Sequence, residues 1–139
     1  MTKIETTYVT NDHVILLHGR IEGPLGRRSV CLMFDTGATI TTIVPQVLRD
    51  IGYTEHDAVR EKIVRTTVGR EHGYEIKLDK LKVLGVNAMN MPVDVFDLAF
   101  DDIDGLIGMD FLSKFNFEVR PRKRRIFVEL ATRPSPAWL

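Results

Sequence analysis

The chain has a single cysteine, Cys31. It can form no internal disulfide and no multi-cysteine metal site, which favours a reducing compartment. Its histidines, His13, His18, His56 and His72, show no metal-ligand spacing. There is no excess of charge of either sign: Lys plus Arg and Asp plus Glu both number 19. That removes the electrostatic argument for a nucleic-acid or membrane partner. No apolar run approaches the roughly 20 residues of a membrane span. The N-terminal stretch Met1 to Thr7 has no apolar segment fit for a signal peptide. Internal repeats and low-complexity segments are also lacking. These absences lead to the expectation of a cytoplasmic protein with no cofactor, no metal, no nucleic acid and no membrane partner. At 139 residues the chain can bury one real core and hardly two, so residues 1–139 read as one domain.

What is there is organised around Phe34-Asp35-Thr36-Gly37-Ala38-Thr39. The apolar run Val30 to Phe34 reads as a buried strand. Val30, Leu32 and Phe34 share one face, and Cys31, Met33 and Asp35 share the other. Both faces carry apolar residues, so the strand is central. It delivers a carboxylate directly into a glycine-containing turn. An unpaired buried carboxylate is costly, and glycine there implies close backbone approach or an unusual dihedral. By itself this Asp reads as a turn cap after a strand.

The remainder is β-rich. Ile4 to Val9 and Val14 to Ile21 read as strands, and Gly23 to Arg28 as the tip of a hairpin. Ile40 to Val44 is strand-like. Pro45 then suits a first helical turn, Val47, Leu48 and Ile51 recur at helical spacing, and Gly52 closes the helix. Ile63 to Val68 and Tyr74 to Leu78 flank a polar loop, Gly69 to Gly73, as a hairpin. Gly85-Val86-Asn87 reads as a turn, and Met89 to Phe96 as a strand whose Pro92 demands an edge or a bulge. Leu106-Ile107-Gly108 passes into a helical pattern of Phe111, Leu112 and Phe115. Two short strands follow, Asn116 to Val119 and Ile126 to Leu130, around a basic turn, Arg120 to Arg125. Residues 131–139, with Trp138, read as an extended tail. The fold class expected is all-β, with one or two short helices, in a single lobe closed as a barrel.

The run Asp35-Thr36-Gly37-Ala38 resembles the active-site motif of aspartic proteases. The glycine-bearing hairpin at Gly69 to Gly73 stands where that family has its flap. Leu106-Ile107-Gly108 is similar to its hydrophobic-hydrophobic-glycine signature. In this order, over about residues 14–130, the three resemble the retropepsin-like class, on its bacterial or cellular branch. The resemblance implies a closed acid-protease barrel and an aspartic endopeptidase acting on a peptide or protein substrate. It implies Asp35 as the catalytic carboxylate, with Thr36 bonding across a dimer axis and Gly37 letting the backbone approach. It implies substrate contacts at Ala38, Thr39, Val68, Gly69 and Arg70. Leu106 and Ile107 would buttress the Asp35 loop.

The chemistry of the class needs two carboxyls around one water, one as base and one as acid. This chain has one such motif, so the resemblance implies a homodimer with one Asp35 from each copy. A catalytically silent dimer of the same fold, binding peptides or assembling complexes, is the alternative. Two departures stand out. Viral members carry an acidic residue where this chain has Thr39 and an arginine where it has Met109, and these pair. Here both are missing together, which leaves no lone buried charge. Thr41 and Asp110 are the candidates for the remaining polar link between the two loops. Asp101, Asp102 and Asp104 lack the spacing of a calcium loop and read as solvated, as does the basic turn. Cys31 reads as packing.

Overall fold

The structure is a computed structural model that describes residues 2–66 and 69–130. Its centre is the hairpin of β3 (Val14–Gly23) and β4 (Gly26–Phe34). Along β3 the buried positions fall at Leu17, Gly19 and Ile21, the period of two expected of a strand with one face on a core. On β4, Val30 and Leu32 are buried while Cys31 and Met33 are half-buried. The two-faced strand read from the sequence is therefore central: β3 flanks it on one side and β9 (Gly105–Ile107) on the other.

Beyond β9 lies β5 (Thr42–Ile43), then β8 (Val86–Val95), β7 (Gly69–Val83) and β6 (Arg60–Thr66). The sheet closes where Arg20 to Glu22 of β3 pair with Lys80 to Lys82 of β7. Six strands thus form a closed barrel, with β2 (Val9–Asn11) and β6 extending from its rims. A second sheet places β11 (Arg125–Leu130) between β1 (Thr2–Thr7) and β10 (Asn116–Arg120). Two helices, α1 (Pro45–Asp50) and α2 (Met109–Leu112), complete the lobe. The core includes Leu17, Ile21, Leu32, Ile76, Leu78, Leu81, Ile107 and Phe111, each at most 1% exposed. Each such burial is worth about 1.5–3 kcal/mol. The all-β, single-lobe expectation matches the architecture.

Several local expectations are corrected. The stretch read as one strand from Ile4 to Val9 is two, because Tyr8 turns inward, buried, and donates its N–H to Arg124 O at 3.2 Å. Gly69 to Gly73 is not a loop but the first arm of β7. The last described pair of the hairpin's arms is Thr66 with Gly69. Gly73 sits in a strand because a Cβ there would lie 2.3 Å from the Phe96 ring and 2.4 Å from Val95 O. The turn expected at Gly85 to Asn87 is Leu84-Gly85, both at positive φ (57° and 74°), as a two-residue hairpin of the mirror-image type requires. Of Ile40 to Val44, only Thr42–Ile43 is strand. Pro92 pairs with Lys77 on one side. On the other side β5 reaches only Asp94 and Val95, so its missing N–H is tolerated as expected. Val68 and the tail 131–139 lie outside the described residues.

Tyr53 ties α1 to the barrel. Its ring is buried, and its hydroxyl oxygen accepts the Asp79 N–H at 2.9 Å. Burial pushes its phenol up to about 12 from 10.0, with the Asp79 carboxylate adding to the rise. The folded state therefore holds this proton more tightly than the unfolded chain. Its contribution to stability is complete below pH 10 and is lost as pH rises towards 12. Urea titrations across that window will show the loss, and Tyr53→Phe will flatten it. At neutral pH the same variant will cost about 1 kcal/mol through the unpaired Asp79 amide.

Candidate active site

Asp35 follows the last residue of β4. Its N–H donates to Ile107 O at 3.0 Å, which continues the parallel register of Phe34 with Ile107. A turn follows, closed by Ala38 N–H to Asp35 O at 3.2 Å. Inside it the Gly37 N–H donates to Asp35 Oδ1 at 3.0 Å, the side-chain-to-backbone bond that Asp favours in turns. The carboxylate is therefore oriented by its own loop. A Cβ on Gly37 would stand 3.3 Å from that oxygen. Asp35 is half-buried, while Thr36, Gly37 and Thr39 are exposed.

The loop is fixed from behind by the second glycine motif. Thr41 is fully buried. Its hydroxyl donates to Asp110 Oδ1 at 2.7 Å and accepts the Gly108 N–H at 3.1 Å. The same carboxylate oxygen accepts the N–H groups of Thr41 at 3.0 Å and Phe111 at 2.9 Å. Two backbone bonds complete the lock: Met109 N–H to Ala38 O at 2.8 Å, and Asp110 N–H to Thr39 O at 3.1 Å. Gly108 is required there, because a Cβ would lie 2.9 Å from Ala38 O and from Ile40 C. The link expected between Thr41 and Asp110 is present, beside positions 39 and 109 where the viral-type ion pair is missing.

Leu106 and Ile107 divide the role assigned to them jointly. Ile107 is fully buried behind the loop. Leu106 is half-buried and is the register partner of Met33. Met33 in turn shares the strand face of Asp35 and pairs with Leu16. Met33, Leu106 and Leu16 thus form an apolar wall beside the carboxylate. Period-two alternation along β4 carried the signal for Met33. The role of Leu106 needed the β4–β9 register, which no local pattern gives.

The hairpin arms pair from Arg60 with Glu75 to Thr66 with Gly69. Gly69, at φ +136°, and Arg70 are exposed near its tip. Asp35, Ala38 and Thr39 thus form one cluster, whereas Gly69 and Arg70 belong to a separate element. The hairpin's outer face, with Ile63, His72 and Tyr74, borders a cavity of about 510 Å³ against Pro45 and Arg49 of α1. That cavity does not include Asp35.

The other charged features have structural roles. Asp104 Oδ2 accepts the Cys31 N–H at 2.8 Å, so it pins a loop to β4. Burial raises the Cys31 thiol pKa, and Asp104 and Asp102 add to it, which disfavours the nucleophilic thiolate. In the basic turn, Arg120 pairs with Glu118 and Arg125 with Glu5. Among the described residues, no three His, Cys, Asp or Glu side chains converge as a metal site would need.

Replacing Thr41 by Val will orphan the buried Gly108 N–H and remove a donor to Asp110. The expected loss is about 1–3 kcal/mol of unfolding free energy, read by chemical denaturation.

No match is found among curated protein sequences. The solved structures that resemble the chain include a retropepsin-like aspartic protease from Rickettsia conorii. It is 19% identical, with a TM-score of 0.66, covering 91% of this chain and 90% of that one. At that identity the likeness concerns the fold. The sequence also matches the family described as "gag-polyprotein putative aspartyl protease" over residues 21–114. That span holds β4, the Asp35 turn, the hairpin and the second glycine motif, so the chain belongs to this retropepsin-like family.

Proposed function

We propose that two copies of this chain form an aspartic endopeptidase, each giving one Asp35. The observation that carries the reading is the preset turn. Asp35 leaves a central strand, its carboxylate is aimed by the Gly37 N–H, and the neighbouring Thr36 and Gly37 are exposed where a second copy would meet them. One carboxyl cannot at once be base to the water and acid to the carbonyl oxygen. Two in contact cannot both ionise cheaply, so the pair holds one proton and offers both roles. One carboxylate takes a proton from the water as it attacks the peptide carbonyl. The other acid gives its proton to the carbonyl oxygen. Collapse of the tetrahedral intermediate then returns a proton to the leaving amine.

On this reading Met33, Leu106 and Leu16 present an apolar wall to substrate side chains next to the scissile bond. The β6–β7 hairpin, with Gly69 and Arg70 near its tip, closes over an extended peptide and pairs with its backbone. Ala38 and Thr39 flank the catalytic turn on the substrate side.

Asp35→Asn will lower peptide cleavage by about 10²–10⁴-fold or more, with the circular dichroism spectrum and sedimentation behaviour unchanged. Wild-type activity will follow a bell-shaped pH profile and scale with dimer concentration. A wild-type dimer that binds peptides and cuts none would replace the protease reading with that of a silent binding module. A strictly monomeric, active chain would overturn the shared site.

A further inference from the structure

The inner face of the hairpin carries a charge cluster that the catalytic reading does not use. Lys62, on β6, places Nζ 2.6 Å from Asp94 Oδ1 and 3.2 Å from Glu75 Oε1. Arg60 approaches the other oxygen of Glu75 at 3.6 Å. Asp94 is buried on β8. Its Oδ1 has no aligned hydrogen bond among the described residues, so what meets it is the Lys62 charge itself. A buried carboxylate left without its cation is strongly destabilising. The Lys62 ammonium is held above its ordinary pKa, chiefly by Asp94.

Asp94 also reaches the catalytic loop. Its N–H donates to Thr41 O at 3.0 Å, and the Thr41 hydroxyl locks Gly108 and Asp110. The contacts therefore run without a gap from β6 through Asp94 to the loop that begins at Asp35. A small cleft lies alongside, bordered by Ile40, Lys62, Glu75, Met91, Asp110 and Lys114. It places the Lys62 cluster on the same side of the hairpin as the Asp35 loop.

We infer that Lys62 is a positioning residue: its bond to Asp94 anchors the base of the hairpin to the Thr41 segment and sets the hairpin's position over Asp35. The inference rests on reading the hairpin as a flap and Asp35 as catalytic. A simpler role would be to neutralise Asp94 with no effect on either element. The two roles separate when both charges are removed. Lys62→Met alone leaves a buried charge and will weaken the fold. The double variant K62M/D94N removes the Lys62–Asp94 pair and leaves Glu75 with Arg60, so its stability recovers towards wild type, yet the anchor remains absent.

The test is hydrogen exchange of residues 60–75 and 35–44, with peptide cleavage by the same dimers. In K62M/D94N, exchange in both segments will rise about tenfold over wild type. Its kcat will fall about tenfold with a smaller change in KM, as expected when closure and not ground-state binding is impaired. Lys62→Arg will restore both readouts towards wild type. Wild-type exchange in both segments of K62M/D94N would overturn the anchor, as would faster exchange confined to residues 60–75. A wild-type protein that cuts no peptide would sink the protease reading alone, and the exchange comparison would then decide the anchor by itself.

Discussion

The arrangement around Asp35 depends on one buried hydroxyl. Thr41 bonds at once to Asp110 and to the Gly108 amide, and its backbone bonds to Asp110 and Asp94. A turn holding an aimed carboxylate has few internal contacts to resist drift. Here it is clamped between a strand in front and this knot behind. The knot is neutral at the threonine, so it carries little of the desolvation penalty of a buried ion pair. It also leaves Asp110 Oδ1 fully occupied by three donors, which leaves that oxygen little capacity for other partners.

The barrel makes this knot possible by threading β9 between β4 and β5. β9 runs parallel to β4 and antiparallel to β5. Its two bordering glycines permit the approach. A Cβ on Gly105 would lie 2.4 Å from Thr42 O, and one on Gly108 would meet Ala38 O. After Gly108 the chain turns into α2, where Phe111 is buried and stacks edge-on with Phe115 at 5.4 Å. Phe34, immediately before Asp35, packs edge-on against Phe117 of the second sheet at 5.6 Å. The second sheet is thus coupled to β4 by aromatic packing, and the first residue of the Asp35 turn inherits the rigidity of both sheets.

Much of this was legible in the sequence where the signal is local. Period-two apolarity located β4 and its two faces, Pro45 and Gly52 bracketed α1, and the Asp-Thr-Gly run stood out beside Leu106-Ile107-Gly108. The Thr41–Asp110 link was also legible, because a missing charge pair called for a substitute. What failed were inferences from glycine alone. Gly73 looks like a turn residue, but it is a strand residue that makes room for Phe96. Gly69, at positive φ, does mark the hairpin tip. The same residue type answers to packing in one case and to backbone conformation in the other. The separate roles of Leu106 and Ile107, and the meeting of Lys62 with Asp94, depend on register between strands far apart in sequence. Register follows from closure of the whole barrel and has no local signature.

The knot also bears on assembly. A loop stabilised by bonds within one chain needs no partner to hold its shape. In the proposed dimer, association would have only to bring two preformed turns together, burying the exposed Thr36 and Gly37, and would not need to order them at the same time. Ordering entropy lost in advance is not lost again on binding. Because no charge pair spans residues 39 and 109, salt has little to screen within the loop. Ionic strength therefore acts on this region chiefly through the Lys62 cluster.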